Sequence, residues 1–312
     1  METIPLISQD VVRKNLKYSE LIPAVRQALE EYTLNRASQP LRVSLPVGDT
    51  NGTFLAMPSY STSSDTLVTK LVSMYPDNAK KNLPTHICYI TLFDPDTGAL
   101  ACLMDGELIT AMRTAAASVV ATQAIVSETP KTIAVLGSGV QARSHILAFN
   151  ETYKLEKMKI WSRNHDNAQK LCEELKDLPL QNCKSVEEAV CDSDVVITVT
   201  SATEPVLFEK WLKPGCHINC VGACRPTWRE CDDECMQNST VYVDSRESAE
   251  NESGDVILSK CDVYAEIGEI LLKQKPVQQG KFTFFKSLGI GLQDAAAAKL
   301  VWDNCKHETD IQ

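Results

Sequence analysis

A glycine-containing turn is the feature of this sequence best suited to chemistry. A short apolar run, Thr132–Leu136, leads into Gly137-Ser138-Gly139-Val140-Gln141-Ala142, a Gly-x-Gly-x-x-Ala pattern that opens a helix-like stretch. In such a turn the first glycine allows the sharp bend, the second leaves room for a pyrophosphate, and the small third residue lets the helix pack closely. Free N–H groups at the helix start bind phosphates. The pattern predicts a dinucleotide site; the alternative is an ordinary strand-to-helix turn.

The end of the next predicted strand indicates which dinucleotide is bound. An acidic residue here would hold the ribose 2′-hydroxyl of NAD, but the strand ends without a carboxylate and Arg163 follows it. An arginine suits a 2′-phosphate, and Ser162, Asn164 and Asn167 could add neutral hydrogen bonds. NADPH is therefore favoured over NADH. The alternative is a surface arginine that pairs with Asp166.

Three basic residues lie in otherwise apolar or small-residue runs, namely Arg42, Lys70 and Arg113. Basic groups on packed elements are rarely left unpaired, so these residues either meet internal carboxylates or bind an anionic ligand. Asp294 begins an Ala-rich stretch after a Gly-containing loop. On the residue alone, a helix N-cap is the better-supported role for this aspartate.

The elements that position these residues fall into two regions. From residue 131 onward, strands alternate with helices, which predicts a parallel, doubly wound sheet. The predicted strands are 132–136, 158–161, 194–200, 217–221 and 240–243, and the predicted helices are 140–150, 165–176, 185–191 and 229–237.

The first 120 residues predict an antiparallel or mixed sheet. A helix is expected over 21–35, a long Ala-rich helix over 107–126, and a last helix over 294–306. The strands between them are expected at 42–46, 53–58, 66–75, 86–93 and 99–105, separated by turn residues. We expect residues 1–120 plus 282–312 to form one domain and residues 121–281 to form the nucleotide-binding domain.

The composition and charge of the chain indicate which classes of binding partner are not expected. The net charge of −10 comes from 31 basic and 41 acidic side chains, and no Lys/Arg-rich run occurs, so nucleic acid and anionic membranes are not expected partners. No apolar run is expected to reach membrane-spanning length. Residues Met1–Asp10 carry no secretory signal pattern, which favours a cytoplasmic location.

Twelve cysteines are expected to be reduced and mostly buried, because no export signal accompanies them. Cys216, Cys220, Cys224, Cys231 and Cys235 cluster in the sequence with His217 among them, and two of their three-residue gaps fall in a predicted strand stretch, 217–223. Residues four apart in a strand lie about 13 Å apart and cannot share one tetrahedral metal. We therefore expect no metal.

Over nearly its whole length the sequence resembles the ornithine cyclodeaminase/mu-crystallin family, and within it the mu-crystallin members. The resemblance rests on Ala56-Met57-Pro58, Thr69-Lys70-Leu71-Val72, Met104-Asp105-Gly106, Ile109-Thr110-Ala111-Met112-Arg113-Thr114-Ala115-Ala116, Gly137-Ser138-Gly139-Val140-Gln141-Ala142, Thr198-Val199-Thr200-Ser201-Ala202-Thr203-Glu204-Pro205, Val221-Gly222-Ala223-Cys224-Arg225-Pro226, Glu252-Ser253-Gly254-Asp255 and Ser287-Leu288-Gly289. It implies a Rossmann-type doubly wound parallel sheet inserted in a second, α+β domain for dimerisation and substrate binding, and hence a homodimer.

The resemblance also assigns roles to residues. Arg42, Lys70 and Arg113 would hold a substrate carboxylate, and Asp294 matches the catalytic carboxylate of the cyclodeaminases. Beside these implied roles, we expect Lys70 to be catalytic as the acid, with an ordered water as the alternative proton donor. Ser162 and Asn164 depart from the family's usual Asn-Arg-Thr around Arg163. The expected cofactor-binding residues are His86, Arg113, Gly137, Ser138, Gly139, Val140, Gln141, Ser162, Arg163, Asn164, Asn167, Thr200, Ser201 and Val221.

The implied reaction is NADPH-dependent reduction of a cyclic ketimine carboxylate, such as Δ1-piperideine-2-carboxylate or a sulfur analogue, by an enzyme of the thiomorpholine-carboxylate dehydrogenase type. Cyclodeaminases of the family carry a glutamate two positions before Met-Pro, where this chain has Leu55, so ornithine cyclisation is less expected. The alternatives are an alanine dehydrogenase-like or ornithine cyclodeaminase-like enzyme. A further one is a thyroid-hormone-binding or lens crystallin-type protein with NADPH as co-ligand.

Overall fold

The computed structural model describes residues 4–306, which form eleven α-helices and fifteen β-strands. The helices are α1 (Gln9–Asn15), α2 (Tyr18–Thr33), α3 (Glu107–Ile125), α4 (Val140–Thr152), α5 (His165–Glu174), α6 (Val186–Val190), α7 (Asp233–Gln237), α8 (Arg246–Glu252), α9 (Gly254–Ser259), α10 (Ile267–Leu271) and α11 (Gly291–Cys305). The strands are β1 (Leu6–Ile7), β2 (Ala37–Ser38), β3 (Val43–Pro46), β4 (Thr53–Ser61), β5 (Thr66–Met74), β6 (His86–Phe93), β7 (Leu100–Asp105), β8 (Thr132–Leu136), β9 (Lys157–Trp161), β10 (Leu180–Asn182), β11 (Val195–Thr198), β12 (His217–Cys220), β13 (Ser239–Val243), β14 (Val263–Glu266) and β15 (Phe282–Lys286).

The chain divides into two compact units. The first contains residues 1–113 and 290–312, and the second contains residues 114–289. The first division falls inside α3, because this single helix runs from one unit into the other. The second division falls just before α11, so the last helix returns to the unit in which the chain began.

The first unit is built on a mixed seven-stranded sheet. Its strands lie in the order β1-β7-β6-β5-β4-β2, with β3 also paired to β4, and every pair is antiparallel except β1 with β7. Side chains on β4 alternate between buried and half-buried, as expected for a sheet with one face covered. The covering helix is α11, which packs against α2 and against β4 and β5.

The start of α11 lies very close to β4. A Cβ atom added to Gly291 would come within 3.1 Å of Cβ and 3.2 Å of Oγ of Ser59. The backbone N–H of Leu292 also donates to Oε1 of Gln39 at 2.9 Å. These contacts fix the first turn of α11 against the sheet.

Helix α3 corrects one expectation about composition. By length and composition it is apolar enough to cross a membrane, although the sequence analysis expects no run of that kind. In the structure 72% of its apolar window is buried inside the protein, which is the usual situation of a core helix. Its small alanines permit this close packing on all sides.

The second unit contains an eight-stranded sheet that is parallel throughout. Its order is β10-β9-β8-β11-β12-β15-β13-β14. All four residues of β11 and of β12 are buried, as in central strands covered by helices on both faces. The five strands predicted from the sequence are present, with ends shifted by no more than two residues, and the doubly wound α/β fold is confirmed.

One strand lies where the sequence analysis does not place it. β15 pairs with β12 on one side and β13 on the other, and all five of its residues are buried. Residues 282–289 therefore belong to the second unit, not to the first. The apolar run Phe282–Phe285 fits only a central position, because both of its faces need cover.

Several shorter elements also differ from the predictions. The helix expected over 229–237 begins only at Asp233, because the carboxylate of Asp232 caps it by accepting from the N–H of Cys235. The sequence does not predict strands β1, β2, β10 and β14 or helices α1, α8, α9 and α10.

No disulfide joins any of the cysteines among the described residues. All twelve lie in the described part of the chain, and eight of them are buried, as expected for reduced thiols.

Candidate active site

A pocket of about 470 Å³ lies at the carboxyl edge of the second unit's sheet. Three loops form it: the turn after β8, the end of β9 with the start of α5, and the loop after β11. Its lining residues are Gly137, Ser138, Gly139, Trp161, Ser162, Arg163, Asn164, Asn167, Val199, Thr200, Ser201, Ala202 and Val206. This edge is where ligands bind in open parallel sheets.

The glycines of the turn have the geometry that the motif requires. Gly137 has a φ of +135°, and an added Cβ would lie 2.8 Å from the carbonyl oxygen of Val199. A Cβ on Gly139 would meet nothing within 4 Å, so the space beside this residue is open. Gly139 is also the N-cap of α4 and has no side chain to satisfy the first N–H groups of the helix. An anionic group fits this cradle.

Arg163 lies on the pocket wall without an ionic partner. It forms no salt bridge with any described residue, so the alternative in which it pairs with Asp166 is wrong. Asn164 instead holds the backbone of Asp166, whose N–H donates to Asn164 Oδ1 at 3.0 Å and caps α5. Ser138 Oγ donates to Ser162 Oγ at 2.9 Å and links the two loops.

The structure groups the predicted cofactor residues unevenly. Nine of the expected cofactor-binding residues line the pocket. Val140, Gln141 and Val221 do not line it, but each of them lies at the end of a strand or helix beside the pocket. Val140 is 70% exposed and Val221 is buried. His86 and Arg113 belong to the first unit, and their contact with a cofactor stays a prediction.

Four of the lining residues are not among those expected from the sequence: Trp161, Val199, Ala202 and Val206. Each of the four is close in sequence to a selected residue, which is the signal that could have found them.

A buried carboxylate holds the third loop in place. Glu230 is fully buried; one of its carboxylate oxygens accepts from the N–H and hydroxyl of Thr200 at 2.7 and 2.6 Å. The other accepts from the hydroxyl of Thr198 at 2.7 Å. Burial raises the pKa of Glu230, although Lys286 and the two threonine hydroxyls oppose the shift. Because Thr200 lines the pocket, Glu230 sets the position of a pocket wall.

Behind Glu230 lies a fully buried ion pair. Lys286 Nζ lies 3.1 Å from Asp255 Oδ2 and 3.3 Å from Cys220 Sγ, and it also donates to the carbonyl of Gly222. Burial alone would lower the pKa of Lys286, but the surrounding thiol and carboxyl groups raise it well above its ordinary value. The backbone N–H groups of Glu230 and Cys231 donate to the other oxygen of Asp255.

Three potential metal ligands meet in this ion-pair cluster. The ligand atoms of Cys220, Cys231 and Asp255 lie within 4.8 Å of one another. The ammonium of Lys286 already contacts two of these three groups and supplies the positive charge that a metal would bring. That the chain holds no metal stays a prediction.

A second polar cluster lies in the first unit and joins three distant segments. Arg113 Nε donates to Asp294 Oδ1 at 3.0 Å, and Lys70 Nζ lies 2.7 Å from Asp294 Oδ2. All three side chains are at most 6% exposed. Asp294 is not the N-cap of α11, because the helix begins at Gly291 and Ile290 is its N-cap. The helix-cap interpretation of Asp294 is therefore wrong.

This cluster carries an excess of positive charge. Two cations share one carboxylate, and burial together with the nearby Arg113 lowers the pKa of Lys70 to about 8 despite the opposing effect of Asp294. A buried site with one net positive charge favours a monoanionic ligand. The alternative in which the basic residues meet an internal carboxylate is confirmed for Lys70 and Arg113, and the binding of an anionic ligand stays a prediction.

The remaining predicted residues of the first unit lie in the same sheet. Arg42 is half-buried and immediately precedes β3, two strands away from Lys70. His86 is exposed at the first residue of β6, with Nδ1 3.1 Å from the hydroxyl of Thr85. Leu55 is buried on β4, two residues before Met57, which pairs with Lys70. Leu55 and Met57 therefore project from the same face of the sheet.

Comparison with known proteins gives the same assignment over the whole chain. The model of the ornithine cyclodeaminase/mu-crystallin family matches residues 2–309. The chain belongs to this family. A relative from Macropus fuliginosus, ketimine reductase mu-crystallin, is 46% identical over 303 residues, which cover 96% of each chain.

Two solved structures of similar proteins share the family fold. Δ1-pyrroline-2-carboxylate reductase from Thermococcus litoralis, solved with NADH and L-proline, is 38% identical with a TM-score of 0.93, and the match covers 97% of this chain and 98% of that one. An archaeal alanine dehydrogenase dimer with bound NAD is 28% identical with a TM-score of 0.92, covering 99% and 98%. Both of these similar proteins were solved with a nicotinamide dinucleotide bound.

The contact between Glu230 and Thr200 can be tested by substitution. Glu230→Ala removes the acceptor of four hydrogen bonds, those from Thr198, from the N–H and hydroxyl of Thr200 and from the Cys220 thiol, so we expect the free energy of unfolding to fall by about 3 kcal/mol. We also expect the affinity for the dinucleotide to fall, because Thr200 loses its anchor. Urea unfolding and fluorescence titration with NADPH measure the two effects. Glu234→Ala, an exposed carboxylate nearby in α7, is the matched control and should change neither quantity. Unchanged nucleotide affinity in Glu230→Ala would contradict the positioning role.

Proposed function

We propose that this chain reduces cyclic ketimine carboxylates, such as Δ1-piperideine-2-carboxylate and its sulfur-containing analogues, to cyclic imino acids with NADPH. The chain is an oxidoreductase that uses a nicotinamide dinucleotide. The observation that carries the substrate assignment is the buried cluster in which Lys70 and Arg113 share Asp294 and leave one positive charge for a carboxylate. The named activities of its relatives, ketimine reductase and Δ1-pyrroline-2-carboxylate reductase, support it.

The preference for NADPH rests on Arg163. This arginine lies on the pocket wall with no ionic partner among the described residues, beside Ser162, Asn164 and Asn167. A guanidinium in this position forms charge-assisted hydrogen bonds with a 2′-phosphate. The Thermococcus litoralis relative was solved with NADH, so the preference is a property to be tested on this chain.

The residues of the first unit would perform the substrate chemistry. Arg113 and Lys70, with Arg42, hold the substrate carboxylate, which orients the C=N bond and lowers the entropic part of the barrier. Lys70, with its pKa near 8, donates a proton to the imine nitrogen. Asp294 stabilises the positive charge on the iminium. A bound nicotinamide dinucleotide supplies the hydride to the ring carbon.

Leu55 favours imine reduction over ornithine cyclisation. It places an apolar side chain on the same face of β4 as Met57, where the resemblance to cyclodeaminases would require a glutamate. An apolar residue cannot bind the side-chain amine of ornithine. The alternative of an open-chain keto acid plus ammonia is favoured by the likeness to the alanine dehydrogenase. Binding of thyroid hormone stays a prediction, as does a role as a lens protein.

We also propose that the chain forms a homodimer in the cytoplasm. The sheet face not covered by α2 and α11 exposes an apolar row in which Val43, Ala56, Leu71 and Tyr89 are consecutive cross-strand neighbours. Val43 is 56% exposed and Tyr89 is 42% exposed. A second copy would bury this row, and the archaeal relative was solved as a dimer.

A substrate panel tests the proposed reaction. Purified protein with NADPH is given Δ1-piperideine-2-carboxylate, Δ1-pyrroline-2-carboxylate, a sulfur-containing ring ketimine, or pyruvate with ammonia, and loss of NADPH absorbance is followed. We expect the cyclic ketimines to be reduced with the higher kcat/KM. A faster reaction with pyruvate and ammonia would assign the chain to amino-acid dehydrogenases instead. If none of these substrates is reduced, the proposed function is wrong.

Arg163 can be tested through the cofactor alone. Arg163→Ala should weaken binding of NADPH by about 10- to 100-fold, because charge-assisted hydrogen bonds to the 2′-phosphate are lost. Binding of NADH, which lacks this phosphate, should change little. Fluorescence titration measures both, and Lys170→Ala, an exposed cation on the same α5 helix, is the control for net charge. Equal loss of affinity for both nucleotides would show that Arg163 does not read the phosphate.

The pKa of Lys70 gives a pH dependence with a defined sign. The protonated amine binds the carboxylate and donates the proton, so kcat/KM should fall by about tenfold per pH unit above pH 8. Lys70→Arg keeps the positive charge at all accessible pH values but supplies no comparable acid. In this variant the alkaline decline should disappear while the maximal rate drops. Ionisation of the imine substrate affects the native protein and the Lys70→Arg variant equally, because both receive the same substrate. An identical alkaline limb in the variant would exclude Lys70 as its origin.

A further inference from the structure

Gln293 is a buried polar residue beside the cluster of Lys70, Arg113 and Asp294, and neither the sequence analysis nor the proposed mechanism assigns it a role. It lies in the first turn of α11 and is fully buried. Its Oε1 accepts a hydrogen bond from Arg113 Nη1 at 3.0 Å. Its Nε2 has no acceptor among the described residues.

The orientation of this amide is determined by its neighbour. If the amide were turned over, Nε2 would face Arg113 Nη1, and two donors would meet. Oε1 must therefore point to the guanidinium and Nε2 must point away from it. The unpaired donor is a consequence of the contact with Arg113.

An unpaired donor at a fully buried position is unusual, since buried polar groups in folded proteins nearly always have partners. Asp294 Oδ2, on the next residue, is ion-paired with Lys70 Nζ at 2.7 Å. Gln293 Nε2 is thus an unpaired donor beside a carboxylate that two cations share, in a site with one excess positive charge.

We propose that Gln293 Nε2 donates a hydrogen bond to the carboxylate of the ring substrate, next to Arg113; this inference rests on the proposed function. A carboxylate oxygen is the acceptor that suits both a neutral amide donor and the excess charge. Gln293 then has two roles: Oε1 orients the guanidinium and Nε2 binds the substrate. It also contributes to specificity, because a cyclic imine without a carboxylate leaves the donor unpaired.

Two substitutions separate these roles. Gln293→Glu keeps an oxygen that accepts from Arg113 but removes the donor, whereas Gln293→Met removes both. We expect KM for Δ1-piperideine-2-carboxylate to rise by about 10- to 100-fold in both variants, with a smaller change in kcat. For Δ1-piperideine, which lacks the carboxylate, kcat/KM should fall less in both variants than it does for the carboxylate substrate. Gln293→Met adds no charge, so if this variant retains the native KM, the inference is wrong.

A binding measurement distinguishes failure of this inference from failure of the proposed function. Pyrrole-2-carboxylate is a planar ring carboxylate without a reducible C=N bond, and calorimetry measures its affinity in the presence of NADPH. If the native protein neither reduces ketimine carboxylates nor binds this probe, the proposed function fails. If the native protein does both and Gln293→Glu binds the probe equally well, only the role of Gln293 is refuted.

Gln39→Met is the matched control for loosening of the helix start. It removes the acceptor for the N–H of Leu292 but leaves the Gln293 amide in place. Its KM should stay near that of the native protein, while its melting temperature falls. A rise in KM equal to that of Gln293→Met would assign the effect to the position of α11 and overturn the proposal. The melting temperature of each Gln293 variant shows that the protein remains folded.

Discussion

The shared use of one buried carboxylate by two cations is the constraint on which the first unit depends. Lys70 comes from the middle of β5, Arg113 from the second turn of α3, and Asp294 from the first turn of α11. Leaving any of these charges buried without a partner costs several kcal/mol, so the three elements must be held in a fixed relation. The tight contact between Gly291 and β4 and the hydrogen bond from Leu292 to Gln39 provide that rigidity. The residual positive charge is then available at a position set by the fold.

The buried charges of the second unit are balanced differently from those of the first. Its buried cation, Lys286, is surrounded by Asp255, Glu230 and the Cys220 thiol, so no positive charge is left over for a ligand. This ion-pair cluster positions the pocket wall, because Glu230 accepts hydrogen bonds from Thr200 and holds it there. The groups that face the pocket are instead glycines, small hydroxyls, amides and Arg163. The polar residues of the ion-pair cluster are hydrogen-bonded or ion-paired within the protein, whereas those that line the pocket remain accessible to a ligand.

The sequence predicts those parts of the molecule whose cause is local. The glycine turn, the strand that precedes it and the arginine after the next strand lie within about 30 residues, and each obeys rules of backbone conformation or hydrogen bonding that a short segment expresses. The alternating strands of the second unit are likewise visible in apolar periodicity. The family resemblance adds the roles of Lys70, Arg113 and Asp294, for which the residues alone leave several interpretations open.

The parts that could not be predicted depend on distant segments. Arg113 and Asp294 are 181 positions apart, so no local pattern distinguishes a helix-capping aspartate from a buried ion-pair partner. Glu230 reads as one more acidic residue in a polar stretch until Thr198 and Thr200 are brought beside it. Strand β15 was assigned to the wrong region because its apolar residues indicate burial but not which sheet they enter.

The return of the chain to its first unit has a consequence for biosynthesis. The ribosome makes Lys70 and Arg113 long before α11, which carries their counter-charge. Strand β15, which lies between β12 and β13, is likewise made after both of its neighbours. Domains commonly fold in order from the N-terminus as they leave the ribosome. Here each unit must wait for a segment made after most of its residues: the second sheet is incomplete until β15 has been made, and the first sheet is uncovered until α11 has been made.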